Sequence, residues 1–135
     1  MNAESTQTER LSCIKAMYEA MQNGDAETMR KLLDPDFVIV EADSLPYFGR
    51  RSGIVGLLEV TELFFKTWED LQIDIDDFTT SDTRVAVHLR FSAKSRRTGK
   101  SVSMPMVEVW RFEREKLVEL LPFYWDTKLV GGAAG

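Results

Sequence analysis

Along the first half of the chain the apolar positions recur at helical spacing. Along the second half they recur at every second residue. Leu11, Ile14, Met17, Tyr18 and Met21 fall on one helix face, predicting a helix from a cap at Thr6 or Thr8 to about Gln22. Asn23-Gly24 stops it. Asp25 caps a short second helix, Ala26 to Leu33, whose buried side is Met29, Leu32 and Leu33, and Asp34-Pro35-Asp36 breaks it. Phe37 to Val40 is apolar and β-branched, a strand that ends in Glu41, Ala42 and Asp43. Ser44 to Gly53 reads as a loop carrying Tyr47 and Phe48. A third helix, capped by Ser52, runs from Ile54 to Lys66 or Trp68, with Val55, Leu58, Leu63, Phe64, Phe65 and Trp68 on its apolar face. Gly56 is a poor helix former, so its place there points to close packing.

From Leu71 the period changes to two. Leu71, Ile73, Ile75 and Phe78 alternate with polar residues, and after a turn at Ser81-Asp82-Thr83 so do Val85, Val87, Leu89 and Phe91. Arg96 to Lys100 reads as a hairpin loop with Gly99 free to take positive φ. Two long strands follow, joined by the charged turn Glu113 to Lys116. Val102, Met104, Met106, Glu108, Trp110 and Phe112 share one face of the first, and the second runs from Leu117 to about Asp126. The later strand is apolar on both faces, and Pro122 marks a bulge that would swap its parity.

The order α, α, β, α, β, β, β, β predicts a single α+β domain over residues 1–135: a cone-shaped barrel of a strongly bent mixed or antiparallel sheet packed against three N-terminal helices. Residues 1–6 and 131–135 are expected to be flexible tails. The open end of such a cone is the natural pocket. A sheet apolar on both faces implies a cavity on one side and, on the other, a second copy of the chain, so a homodimer through the sheet is expected.

Composition narrows the function classes. Of 135 residues, 44% are hydrophobic and 29% charged, as in an ordinary globular domain. A net charge of −5 argues against a nucleic-acid partner. The polar N-terminus and the lack of a long apolar run predict no signal peptide and no membrane partner, which makes a cytoplasmic protein the default expectation. One Cys (Cys13) and one His (His88) do not supply a zinc site of the usual kind, and no metal or cofactor is expected.

Two carboxylates stand out among bulky apolar neighbours, Glu108 between Met106 and Trp110 and Asp126 beside Tyr124 and Trp125. Burying such a group is costly unless a pocket uses it. If Glu108 faces the cavity, desolvation raises its pKa toward neutrality and makes it a competent acid or base. If it faces outward, it is a solvated surface residue. His88 alternates with Ala86, Arg90 and Ser92 on the more polar face of its strand, and beside Glu108 it would make a proton shuttle. Tyr47, Trp68, Trp110, Tyr124 and Trp125 are candidates to line an apolar, ring-accepting pocket, or simply to fill core.

The stretches YEAMQNGDAETMRKLLDPDFVIVE and MVEVWRFEREKLVELLPFYWDT, with this order of elements, resemble the NTF2-like superfamily. Within it the chain is most similar to SnoaL-like polyketide cyclases and ketosteroid isomerases, over about Thr8 to Leu129. The resemblance implies site residues. Glu108 in Val107-Glu108-Val109-Trp110-Arg111-Phe112 stands where the isomerases hold a hydrogen-bonding carboxylic acid. Glu41, with Asp43 next nearest, stands near their base. Their first-helix tyrosine aligns with Met17, and Tyr18 is one place off. Trp125-Asp126-Thr127 resembles the cyclases' acid/base Asp stretch. The implied function is a cofactor-independent isomerase or cyclase moving a proton next to a carbonyl. Glu41 or Asp126 would be the base and Glu108 the acid, with Tyr47 or His88 as a supporting donor. The alternatives are a non-catalytic small-ligand-binding protein and a dimerisation module.

Overall fold

A computed structural model of the protein describes residues 3–135. Helix α1 spans Ala3–Asn23 and α2 spans Ala26–Leu32. Of the tail expected at 1–6, residues 1 and 2 lie outside the described residues, and from Ala3 the backbone is helical. Strand β1 (Leu33–Glu41) is followed by a short β2 (Gly49–Ser52), then helix α3 (Gly53–Thr67). Four long strands come next, β3 (Trp68–Thr80), β4 (Arg84–Ser95), β5 (Ser101–Glu113) and β6 (Lys116–Tyr124), and helix α4 (Thr127–Ala134) ends the chain.

The sheet has six strands in the order β2-β1-β6-β5-β4-β3. Only β1 and β6 pair parallel; the other neighbours are antiparallel. The sheet is therefore mixed, and its meander of β3 to β6 matches the period-two stretch of the sequence. Its curvature has local causes. β3 carries an extra residue between Glu69 and Gln72, where Asp70 takes φ +52°, and another between Ile75 and Asp77. Each bulge bends and twists the strand, and β3 runs along α1, with Lys15 over the Phe78 ring and Thr80 Oγ1 donating to Gln7 Oε1 at 3.2 Å.

Three local expectations change. The bulge in β6 falls at Val118, not Pro122: Leu117 pairs with Phe112 and Glu119 with Arg111, while Pro122 sits in regular register opposite Glu108. In that register Pro122 faces the cavity. Residues 44–53 are not all loop, because Gly49–Ser52 pairs with the end of β1. And residues 131–134 are helical, with Ala133 and Ala134 buried. Asp126 caps that helix by accepting from Leu129 N at 3.0 Å.

The core joins the concave face of the sheet to the helices. Trp68, Trp110, Phe37, Phe91, Ile14, Met17 and Leu57 are almost wholly excluded from solvent. Gly56 lets α3 lie on β2: a Cβ built there would meet Arg51 Cβ at 2.7 Å and Arg51 C at 2.8 Å. No helix among the described residues is long and apolar enough to cross a membrane.

Candidate active site

The sheet's concave face does not close flush on the helices, and a cavity of about 440 Å³ remains. That volume is within the usual range for a small-molecule site. α1 contributes Tyr18 and Met21, α3 contributes Leu57, Val60 and Phe64, and the mouth is edged by Phe65, Ile73 and Ile75. Its floor is Glu41 from β1, Glu108 from β5 and Tyr124 from β6.

Strand alternation explains how a carboxylate comes to be there. β5 pairs with β4 without a break from Ser101 to Arg111, so Met104, Met106, Glu108, Trp110 and Phe112 stay on one face. Packing the apolar members inward carries Glu108 with them. Tyr18 Oη donates to Glu108 Oε1 at 2.5 Å, and Trp110 Nε1 donates to Tyr18 Oη at 3.1 Å. Tyr18 and Trp110 also meet edge to face, with centroids 5.9 Å apart. Burial pushes the Glu108 carboxyl above its ordinary range, and the Tyr18 hydrogen bond pulls it partly back.

Glu41 is 4% exposed, and its Oε1 has no hydrogen-bond partner. Burial, and then the neighbouring charge of Glu108, push it up to about 8, against a smaller downward pull from Arg51. Two carboxyls that feel each other in an apolar cavity do not readily ionise together. Glu41, without a hydrogen-bond partner, keeps its proton up to about pH 8, and Glu108, with Tyr18 donating to it, is the carboxyl whose charged form has a donor.

A second tyrosine chain backs the other wall. Trp68 Nε1 donates to Tyr47 Oη at 3.2 Å, and Tyr47 Oη lies 2.7 Å from Tyr124 Oη. Both phenols are pushed to higher pKa, first by burial, so they remain neutral donors. Trp68, Trp110 and Tyr47 are thus buried supports behind the wall, and Tyr124 is part of it.

The structure brings together Glu41, Glu108 and Tyr124 among the expected site residues. It places the others elsewhere. His88 lies on the opposite face of the sheet, with Nε2 2.9 Å from Thr79 Oγ1. Asp126 is exposed at the N-terminus of α4, and Trp125 is 79% exposed beside it. Asp43 is exposed in the loop after β1. Met17, which alignment favours over its neighbour, is core, and Tyr18 is the residue that reaches Glu108. The signal for Tyr18 was its place on an apolar helix face: a phenol there needs a partner for its hydroxyl.

Comparison with known proteins places this chain in a family. Among curated proteins none matches the chain. An NTF2-like protein from Burkholderia thailandensis superposes with a TM-score of 0.83 at 24% identity, covering 93% of this chain and 97% of that one. A SnoaL-like polyketide cyclase, so described, from Jannaschia sp. superposes at 0.81 and 17%, covering 95% and 92%. A protein with a ketosteroid isomerase-like fold from Catenulispora acidiphila, in complex with trimethylamine, superposes at 0.68 and 12%, covering 83% and 84%. Residues 14–120 match the SnoaL-like domain, so the chain belongs to the SnoaL-like family, with an NTF2-like α+β fold.

Proposed function

We propose that this protein is an acid/base enzyme of an apolar, ring-bearing carbonyl compound, moving a proton at the carbon next to the carbonyl in an isomerisation or cyclisation. One observation carries the reading. Glu41 and Glu108 face one cavity, and the arrangement lets one be charged while the other is protonated. In this reading Glu108 takes the proton from carbon. The C–H electron pair moves into the developing enolate, and Glu41 donates toward its oxygen with Tyr124 beside it. Return of the proton from Glu108 to a different carbon completes an isomerisation; attack of the enol carbon on a second carbonyl completes a cyclisation. The roles of the two carboxylates are the reverse of those the resemblance implies, because Tyr18 donates to Glu108, whereas Glu41 has no donor and keeps its proton up to about 8. Such proton transfers contribute about 10²–10⁴-fold each.

The test is hydrogen–deuterium exchange next to the carbonyl across a panel of cyclic ketones, with wild type and Glu108→Gln. Exchange lost in the variant supports the reading, and unchanged exchange removes Glu108 from the mechanism. A second reading, a non-catalytic binder, is favoured by the largely apolar wall of Leu57, Val60, Phe64, Ile73 and Ile75. It predicts saturable ligand binding with no exchange in the wild type.

The same reading has a second copy of the chain cover the outer face of the sheet. Cross-strand neighbours Val109 and Leu121, and Val107 and Phe123, form an apolar patch there, with Phe123 55% exposed. Sedimentation of wild type and Phe123→Asp tests it: a wild-type dimer that the variant splits supports the pairing, and a wild-type monomer ends it.

A further inference from the structure

The cavity that holds Glu41 and Glu108 presents negative charge and no positive charge. Among the described residues that line it there is no Lys, Arg or His. The cation that acts on Glu41 is Arg51, and its guanidinium is already engaged. It donates to the carbonyls of Tyr47 and Phe48 at 3.1 and 3.0 Å and lies 3.6 Å from Glu59. An anionic ligand would therefore enter an apolar cavity against like charge with nothing to pair with. Such an arrangement costs more in a low-dielectric site than in water.

A cation meets the opposite situation. Glu41 lines the cavity, and its Oε1 is buried with no hydrogen-bond partner. The rings of Tyr18, Phe64 and Tyr124 stand around the same space, and aromatic faces attract a desolvated ammonium. We propose that the cavity is a site for a hydrophobic ammonium ion, a tertiary or quaternary amine carrying a ring, and that it rejects carboxylates. This rests on the cavity being the ligand site, as the proposed function does, and deepens that reading by naming the charge its ligand carries.

The charge sets a pH dependence. The groups that face or act on Glu41 are Glu108 from β5, Arg51 from β2, Tyr47 from the loop before it and Tyr124 from β6. α3 and β3 contribute no titratable side chain to the cavity wall. The tyrosines stay neutral, and a guanidinium does not lose its proton in a protein. The change on raising pH is therefore loss of the proton that Glu41 keeps up to about 8. An ammonium favours that loss and so binds more tightly at higher pH, releasing a proton.

The experiment is calorimetric titration of the full chain with benzyltrimethylammonium, its uncharged isostere neopentylbenzene, and phenylacetate, at pH 6 and pH 9 and in two buffers of different ionisation enthalpy. The ammonium is expected to bind about tenfold or more tightly at pH 9 than at pH 6, with proton release at pH 6 and with an advantage over the isostere at both values. Phenylacetate is expected not to bind. Glu41→Gln should flatten the pH dependence and weaken the ammonium while leaving neopentylbenzene unchanged, which also shows that the variant is folded. An ammonium that binds no better than the isostere overturns the proposal, as does a phenylacetate that binds equally well or a pH dependence that survives in Glu41→Gln. If the isostere binds and the ammonium does not, the charge inference alone falls. If neither binds, the cavity is not a ligand site, and the proposed function falls with it.

Discussion

β5 and β6 place Glu108 on one face of the sheet and Glu119 on the other, and these two glutamates have opposite surroundings. Glu108 points to the cavity, where its hydrogen-bond donor is a neutral phenol, Tyr18, and another carboxyl, Glu41, lies within reach of its field. Glu119 points outward from β6, where Arg111 on β5 stands opposite it, with Nε 3.5 Å from Oε1. That guanidinium also reaches Glu113 at 2.9 Å. The outer carboxylate is neutralised in an ordinary ion pair. The inner one lacks a counter-charge, and burial pushes it up. The residue type is the same and the strands are the same. What differs is that apolar packing fills one face with Met106, Trp110 and Leu120 and so removes the water that would hold a charge.

The sharpest way to break this comparison is to neutralise each glutamate in turn. Glu108→Gln should lower ketone proton exchange by about 10²–10⁴-fold, while Glu119→Gln should leave it within about twofold, measured as kcat/KM on the same substrate. Equal losses from both would mean that the cavity has no special claim on the chemistry. The wild-type profile should also fall above pH about 8, as Glu41 loses the proton it donates.

Next in size is a stability effect with a definite sign. Folded Glu41 has its pKa raised from 4.5 to about 8. Below pH 4.5 it is protonated folded or unfolded and costs nothing. Between those values the folded state binds the proton more tightly than the unfolded chain, so wild-type stability falls as pH rises and the full cost is present above about 8. Glu41→Gln removes that cost. Its stability relative to wild type should improve by about 2–4 kcal/mol between pH 4.5 and pH 9, read by urea denaturation at both values. Taking the difference cancels whatever the Gln amide itself costs at both.

Legibility in the sequence followed the same division between faces. The alternation from Val102 to Phe112 is readable because β5 pairs with β4 without a bulge until Arg111, so period two alone puts Glu108 with Met106 and Trp110. What period two does not say is which face is concave. That depends on the bulges in β3 and on where α1 lands, and neither leaves a strong local pattern. The polar segment Gly49–Ser52 has no alternation to betray a strand; it pairs because β1 offers it an edge. Gly-Gly-Ala-Ala reads as a tail for lack of bulk, yet small size is what α4 uses, since a Cβ at Gly131 would meet Ser44 O at 2.7 Å. Asp126 shows the limit of motif likeness: its carboxylate is spent on capping that helix. Tyr18 shows the limit of counting, because a helix face about 100° wide admits both Met17 and its neighbour, and only the depth of the cavity separates core from site.

A smaller effect isolates what Tyr18 does. Its hydroxyl donates to Glu108 and favours the charged form, and a hydrogen bond to a charged group is worth about 1.5–3 kcal/mol. Tyr18→Phe should therefore raise the Glu108 pKa and move the acid limb of the kcat/KM profile to higher pH, with a loss of about tenfold or more on that limb. A uniform loss at all pH values would instead mean that Tyr18 only fills space.

The smallest expected effect is on the outer face, and it completes the contrast. His88 sits opposite Val107 on β5, on the side away from the cavity, where its ring meets Thr79 across the strand pair. A histidine there has no route to a ligand in the cavity, because the sheet itself lies between. His88→Asn should leave the kcat/KM profile between about pH 5.5 and pH 8 unchanged and shift stability by no more than about 0.5 kcal/mol. A change in the profile's shape would show that the two faces communicate through the sheet. A flat result assigns the pH dependence to the buried carboxyls Glu41 and Glu108 and not to the histidine.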